Sequence, residues 1–268
     1  MKTIIATTDF SDSSLNAVNY AADMAVDLEV SLLVMHVVEL PAATIAEFPV
    51  TDISFQDVSR ETDLALVKKS LLSRTRNKIE IETLQVAGNL NYELKNACKQ
   101  VQPFAVVMST HAPGILDRLL FGSKTVFSSR HLEFPVVNVP EGAIYNGVKK
   151  IGLTTDFRGG YHLPVEEIKT VARTFNASID IGFVGNTQSL PAKMEIEKTI
   201  LLNRLRDFQP EIKFVNHQNI EQGIELFAKE NKIDLVMMIP HKHGIFHKSL
   251  SQQVIFHLPV PAMTIHED

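Results

Sequence analysis

Three segments of this chain occur twice, in the same order, and this internal repeat limits the fold more than any other feature of the sequence. The first matched segment keeps seven of its nine residues unchanged or conservatively replaced, including the run Thr-Thr-Asp-Phe. The chain is therefore predicted to contain two tandem copies of one domain. The matched segments are 2–10 (KTIIATTDF) with 149–157 (KKIGLTTDF), 107–111 (VMSTH) with 237–241 (MMIPH), and 131–139 (HLEFPVVNV) with 257–265 (HLPVPAMTI).

The second copy is shorter than the first. The offset between matched segments falls from 147 to 130 to 126 residues along the chain. The losses lie after the second predicted strand, where the first copy carries residues 40–55, and in the loop after 107–111. The turn-rich stretch 140–147 joins the copies. We therefore predict one domain over 1–141 and a second over 148–268, each long enough to bury a core.

Both copies alternate short apolar runs with longer amphipathic stretches. Runs such as 31–38 are apolar throughout, which is typical of strands buried on both faces of a parallel sheet. Strict alternation of strands and helices predicts an α/β fold in which each copy is an open, parallel, five-stranded sheet flanked by helices. The predicted strands are 2–8, 31–38, 78–86, 103–109, 135–139, 149–155, 178–184, 212–216, 234–239 and 261–265; the predicted helices are 12–27 (with Ser11 as N-cap), 56–74, 90–101, 123–131, 163–174, 190–206, 219–230 and 248–256.

Composition excludes several classes of protein. Apolar residues make up 45% and charged residues 21% of the chain, values typical of soluble globular proteins. A net charge of −5 gives no support for nucleic-acid binding, which usually requires a basic surface. No segment approaches the ~18 uncharged apolar residues of a membrane helix, and the start lacks a secretory signal. The single Cys98 excludes internal disulfides, so we expect a cytoplasmic protein.

A first polar cluster, Thr7 to Asp12, follows the first predicted strand. The carboxylate of Asp9 could accept hydrogen bonds from a ribose or a base, or bind a metal ion. The alternative is purely structural, because Asp9, Ser11 and Asp12 are all good helix N-caps.

A second polar cluster follows the fourth predicted strand, at 109–114 and 122–125. Gly122 allows close approach of the backbone to a ligand. The free N–H groups of Ser123, Lys124 and Thr125 at a helix start would form an anion site, helped by the helix dipole. This is not a Walker A loop, because the Gly-x-x-x-x-Gly-Lys spacing is absent. Taken alone, the same residues are more often a helix cap.

Together the two clusters resemble the nucleotide-binding members of the universal stress protein family. Those members carry an aspartate after strand one, here Asp9, and the pattern Gly-x-x-Gly-x9-Gly-Ser/Thr after strand four. Gly122 and Ser123 match the end of this pattern, and the nine-residue spacer is intact. The first two glycines are replaced by Ser109 and Ala112, which are both small. Both halves share the resemblance, so the whole chain resembles a tandem member.

The resemblance implies a flavodoxin-like strand order of 3-2-1-4-5 in each copy. It implies ATP or a related adenine nucleotide, with or without Mg²⁺, between strands one and four. It also implies that the last strands, 135–139 and 261–265, pair the two copies as an internal pseudo-dimer; a homodimer of whole chains stays open. The implied nucleotide-binding residues are Thr8, Asp9, Val38, Gly88, Met108, Ser109, His111, Ala112, Gly122, Ser123, Lys124 and Thr125.

The second copy keeps the strand-one carboxylate as Asp156 but loses the glycine pattern. Ile239 and Lys242 stand at the first two glycine positions, Lys248 replaces the third, and the spacer is four residues shorter. The same triphosphate geometry is therefore not expected there. The loop carrying His241, His243 and His247 could bind a transition metal, bind an anion or a partner, or simply be solvated.

No catalytic motif is recognisable in the sequence. The favoured function is a stress-response regulator that binds a nucleotide in its first copy and is not an enzyme. Two alternatives remain: an interaction or scaffold protein with both sites degenerate, and a weak ATPase that uses Asp9 and Mg²⁺. For the ATPase the sequence identifies no general base and no charge-stabilising arginine, although Arg118 lies in the loop before Gly122.

Overall fold

The structure is a computed structural model that describes residues 2–39, 54–110, 134–157, 163–185, 190–239, 254–255 and 257–265. Ten strands within these residues form one sheet. The strands are β1 Thr3–Thr7, β2 Ser31–Glu39, β3 Ile81–Gly88, β4 Ala105–Ser109, β5 Val136–Val139, β6 Lys150–Thr154, β7 Ser178–Val184, β8 Glu211–Val215, β9 Leu235–Met238 and β10 Ala262–Thr264; the helices are α1 Asp12–Asp27, α2 Ser54–Arg74, α3 Leu90–Val101, α4 Val165–Phe175, α5 Ala192–Arg204 and α6 Ile220–Glu230.

The strand order across the sheet is β3-β2-β1-β4-β5-β10-β9-β6-β7-β8. Each half therefore has the order 3-2-1-4-5 in its own sequence, and neighbouring strands within a half are parallel. This confirms the predicted fold class. The domain limits 1–141 and 148–268 stay a prediction.

The last strands of the two halves join the sheet. β5 and β10 are antiparallel, with Val137 opposite Met263 and Asn138 opposite Ala262. Val137 and Met263 are matched residues of the repeat, so a local two-fold axis relates the halves at this pair. The pairing is the one that the resemblance implies for 135–139 and 261–265. Both strands of this pair belong to the same chain.

The predicted elements agree closely with the described ones. The bounds of α1, α3 and β7 are those predicted, and each other strand begins and ends within three residues of its predicted bounds. Ser11 is the N-cap of α1, and its side chain accepts from the Ser14 N–H, as predicted. The predicted helix 123–131 and most of 248–256 lie outside the described residues.

Buried apolar side chains form one layer on each face of the sheet, and both layers run through both halves. One layer packs α1, α2, α4 and α5 against strand residues such as Ile4 and Ile151. The other packs α3 and α6 against residues such as Ile5 and Val236. Among the described helices, none is long and apolar enough to cross a membrane.

The second layer is filled differently in the two halves. The Phe227 ring, on α6, lies over two glycines of the sheet, and a Cβ added at Gly152 or Gly182 would approach that ring to 2.7 Å. In the first half the arrangement is reversed: the large side chains lie on the strands and the small side chain lies on the helix. The matched residues, first half before second, are Ile5 and Gly152, Met35 and Gly182, and Ala97 and Phe227.

Candidate functional site

The carboxyl ends of β2, β1 and β4 lie side by side at one edge of the sheet. Ala6 pairs with Val107 of β4, and Thr7 pairs with Met35 of β2. Thr8 and Asp9, which follow β1, therefore lie between the ends of these two strands. The β1–α1–β2 and β2–α2–β3 connections cover one face of the sheet, whereas α3, which leads to β4, covers the other. This edge is thus a topological switch point, where open α/β sheets bind ligands.

Thr8 is held by four hydrogen bonds. Its N–H donates to the Met35 carbonyl at 2.9 Å, and its carbonyl accepts from Nδ1 of His36 at 2.7 Å. Its hydroxyl oxygen accepts from the Phe10 N–H at 3.0 Å and lies 3.0 Å from the Ser14 hydroxyl oxygen. Because a carbonyl can only accept, Nδ1 of His36 carries the hydrogen. Thr8 is therefore a buried anchor for the turn that follows it.

Asp9 is exposed at this edge, and its carboxylate is oriented by the start of α1. Its Oδ1 accepts from the Ser11 N–H at 3.0 Å and from the Ser11 hydroxyl at 2.5 Å. Its own N–H donates to the Ser14 hydroxyl oxygen at 3.3 Å. The structure therefore assigns the helix-capping role to Ser11, and Asp9 forms an Asx-type turn in front of the cap.

Burial raises the pKa of Asp9, but hydrogen bonds from Ser11 and Ser14 lower it by more, so its pKa lies below the ordinary value. Asp9 is thus ionised at neutral pH. An ionised, exposed carboxylate can accept hydrogen bonds from hydroxyl or amino groups and can bind a hard cation such as Mg²⁺.

Two residues of this edge were not predicted as site residues. His36 is buried under the Thr8 carbonyl, and the Phe10 ring packs on the His36 ring with centroids 4.6 Å apart. Phe10 has a left-handed backbone, with φ of 66°. A histidine inside a fully apolar strand was the signal available in the sequence, since buried polar side chains are normally hydrogen-bonded; its partner could not be read from the sequence.

The other predicted residues fall in three places. Met108 and Ser109 are buried at the end of β4, beside the Thr8 turn. Val38 is half-buried near the end of β2, and Gly88, with φ of 155°, ends β3 one strand further out. Their role in binding stays a prediction. Six predicted residues lie outside the described residues: His111, Ala112, Gly122, Ser123, Lys124 and Thr125.

The corresponding turn of the second half shares two hydrogen bonds and a left-handed residue with the first. Thr155 donates to the Gly182 carbonyl at 3.1 Å, and the Phe157 N–H donates to the Thr155 hydroxyl at 3.0 Å. Phe157 is left-handed, with φ of 52°. Asp156, however, is only 2% exposed, so this half does not present its carboxylate as Asp9 does.

No metal-ligand set is found within the described part of the chain, where three or more His, Cys, Asp or Glu side chains never cluster. The loop with His241, His243 and His247 lies outside that part. The Cys98 thiol is buried in the second core layer, and burial raises its pKa to about 12, in keeping with a packing role.

Comparison with known proteins agrees with this fold. Residues 1–140 match the model of the universal stress protein family. Because this match covers more than half of the sequence, the chain belongs to the universal stress protein family. No curated protein matches the chain.

Two solved structures resemble the whole chain. One is a universal stress protein from Archaeoglobus fulgidus DSM 4304, with a TM-score of 0.69 and 16% identity, covering 99% of this chain and 96% of that chain. The other is a functionally unknown protein from Pseudomonas aeruginosa PAO1, with a TM-score of 0.58 and 12% identity, covering 100% of this chain and 93% of that chain. At these identities the likeness supports the fold.

Proposed function

We propose that this protein is a cytoplasmic stress-response regulator that binds ATP or a related adenine nucleotide in the first half of its sheet. The observation that carries the proposal is the exposed, ionised Asp9 carboxylate at the switch point between β1 and β4. The second half acts as a structural partner, because its matched Asp156 is buried and its glycine pattern is lost.

The residues around Asp9 suit the sugar and base of a nucleotide. The carboxylate can accept from ribose hydroxyls, and Val38 offers a half-buried apolar side chain on the neighbouring strand. Ser109, Ala112 and Gly88 are small enough to allow close approach. For the phosphates we propose the sequence Gly122 to Thr125, whose backbone N–H groups at a helix start would bind an anion. Mg²⁺ would neutralise phosphate charge beside Asp9.

We propose binding rather than catalysis. A carboxylate whose pKa lies below its ordinary value is a weak general base at neutral pH, because efficient bases have pKa values near the working pH. Asp9 is therefore better suited to hold a hydroxyl group than to activate water. Neither nucleic acid nor membrane is proposed as a partner.

The proposal is tested by isothermal titration calorimetry with ATP, with Mg²⁺ and with EDTA. Asp9→Ala should weaken binding about tenfold or more, since a hydrogen bond to a charged group contributes about 1.5–3 kcal/mol. The matched control is Asp12→Ala, which removes the same charge from an exposed position in the first turn of α1 and should leave affinity within about twofold.

Two outcomes would favour the alternatives. Absence of both binding heat and thermal stabilisation at millimolar ATP would overturn nucleotide binding and favour a scaffold with degenerate sites. Steady phosphate release by the wild type that disappears in Asp9→Ala would instead establish the weak ATPase.

A further inference from the structure

The peptide group between Thr8 and Asp9 is held at both ends by side chains. Nδ1 of His36 donates to its carbonyl oxygen at 2.7 Å, and its N–H donates to the Ser14 hydroxyl oxygen at 3.3 Å. Both holding residues are buried, at 3% and 6% exposure. Because a peptide group is planar, these two bonds fix the plane from which the Asp9 side chain departs and so limit where its carboxylate can point.

The second half keeps features of this turn without the histidine. The repeat places Phe183 at the His36 position. Phe183 has no donor, and its ring stacks on Phe157 with centroids 5.3 Å apart. The left-handed residue and the hydroxyl-capped turn are nevertheless kept. These two features of the turn are therefore common to both halves, whereas exposure of the carboxylate differs between them.

We propose that His36 is a positioning residue of the nucleotide site, which acts through its hydrogen bond to the Thr8 carbonyl to keep the Asp9 carboxylate facing the ligand. The inference rests on the proposed function for its consequence in binding, but the positioning itself exists in the protein without ligand. His36 does this from beneath the turn, and its contact with the Phe10 ring keeps the imidazole aligned.

The first test needs no ligand. The titration of the Asp9 carboxyl carbon is followed by NMR in the wild type, in His36→Phe and in His36→Asn. The Phe variant copies the second half, whereas the Asn variant carries an amide N–H that can occupy the place of Nδ1. In His36→Phe the Asp9 pKa should rise by about half a unit or more, because Asp9 loses the alignment of the hydrogen bonds that lower it. In His36→Asn it should stay near the wild-type value.

The second test is ATP affinity. His36→Phe should weaken binding about tenfold, and His36→Asn should stay within about threefold of wild type. Equal loss in both variants would show that the ring, and not the hydrogen bond, matters, and would overturn the proposal. An unchanged Asp9 titration in a folded His36→Phe variant would also overturn it.

Two further measurements keep the test decisive. Should His36→Phe fail to fold, as judged by urea unfolding and circular dichroism, His36→Leu takes its place in the same titration, because leucine also lacks a hydrogen-bond donor and should raise the Asp9 pKa in the same way. Should the wild type fail to bind ATP, the proposed function fails while the ligand-free titration still decides the role of His36.

Discussion

The two halves of the sheet share their strand order and the hydrogen bonds of the turn after their first strand. They differ in the side chains around that turn and in the exposure of its aspartate. In the first half that turn holds an exposed aspartate over a buried histidine. In the second half it holds a buried aspartate beside two stacked phenylalanines. Backbone geometry is thus preserved where side-chain chemistry has changed. The comparison teaches that the residues around a turn can change while hydrogen bonds of the turn itself are kept.

The largest expected effect concerns the Phe227 ring, which takes the space in the second half that Ile5 and Met35 fill in the first. Phe227→Ala removes the fully buried ring that covers Gly152 and Gly182, and neither glycine has a side chain that could fill the space. We expect the free energy of unfolding to fall by about 3–5 kcal/mol in urea titrations. Leu226→Ala, at the neighbouring exposed position, should cost about 0.5 kcal/mol or less. Similar losses in both variants would show that Phe227 does not carry the packing of this half.

The linker between the halves gives the second prediction. The hydroxyl of Tyr145, in the linker, donates to Oδ2 of Asp27 in the first half at 2.6 Å, and its ring packs edge-on against Tyr20. Phe104 and Phe175 make an apolar contact between the halves themselves. Tyr145→Phe should lower the free energy of unfolding by about 1–2 kcal/mol near pH 7, because it removes only the polar contact. A change below 0.3 kcal/mol, roughly the error of such measurements, would contradict this.

The same tyrosines predict a dependence on alkaline pH. Burial, followed by the hydrogen bond to Asp27, raises the pKa of Tyr145, and burial followed by the charge of Asp234 raises the pKa of Tyr20. A raised pKa in the folded protein contributes stability that is present below the unfolded value of about 10 and is lost as pH rises above it. Unfolding midpoints should therefore fall above about pH 10, and fall less steeply in Tyr145→Phe.

A smaller effect is expected at the start of α1. Ser11→Ala removes the N-cap side chain and should lower the free energy of unfolding by about 1 kcal/mol. The variant makes α1 resemble α4, whose N-cap Pro164 makes no side-chain hydrogen bond. Because the Ser11 hydroxyl also donates to Asp9, the Asp9 pKa should rise in NMR titrations. Loss of stability without a change in this titration would show that the cap and the carboxylate are independent.

The smallest expected effect lies at the local two-fold axis, where Asn138 of the first half matches Thr264 of the second. Asn138 is fully buried, its Oδ1 has no hydrogen-bond partner among the residues that the structure describes, and its Nδ2 reaches the Ala262 carbonyl and the Thr264 hydroxyl only at 3.5 Å. Asn138→Val should raise the free energy of unfolding by about 0.5–1 kcal/mol, since an unsatisfied buried group is removed. A loss of stability in differential scanning calorimetry would show that these long hydrogen bonds matter.

Much of the fold could be predicted because its signals are local. Apolar runs such as 31–38, amphipathic periodicity and the Ser11 cap depend on residues within a few positions of one another, and the repeat supplied each pattern twice. The pairing of 135–139 with 261–265 came from the family resemblance, because nothing in five apolar residues specifies which edge they will join.

The candidate site was only partly predictable. The sequence indicated that Asp9 is either a ligand contact or a helix cap. The hydrogen bonds of Asp9 with Ser11 and Ser14, which show that Asp9 is not the cap itself, form only in the folded turn. His36 lies 28 residues from the carbonyl that it binds, and sequence spacing contains no information on that contact. The same limit applies to Phe227 and its two glycines, which come from three separate elements.

The sequence by itself therefore determined the repeat, the order of strands and helices, and the position of the carboxylate after the first strand of each half. Only the tertiary structure decided that Asp9 is exposed and Asp156 buried, because exposure depends on which side chains from distant strands and helices pack around each turn. The signals for helices, strands and caps lie within a few residues of one another in the sequence. Packing and burial are instead properties of the whole sheet and its two layers.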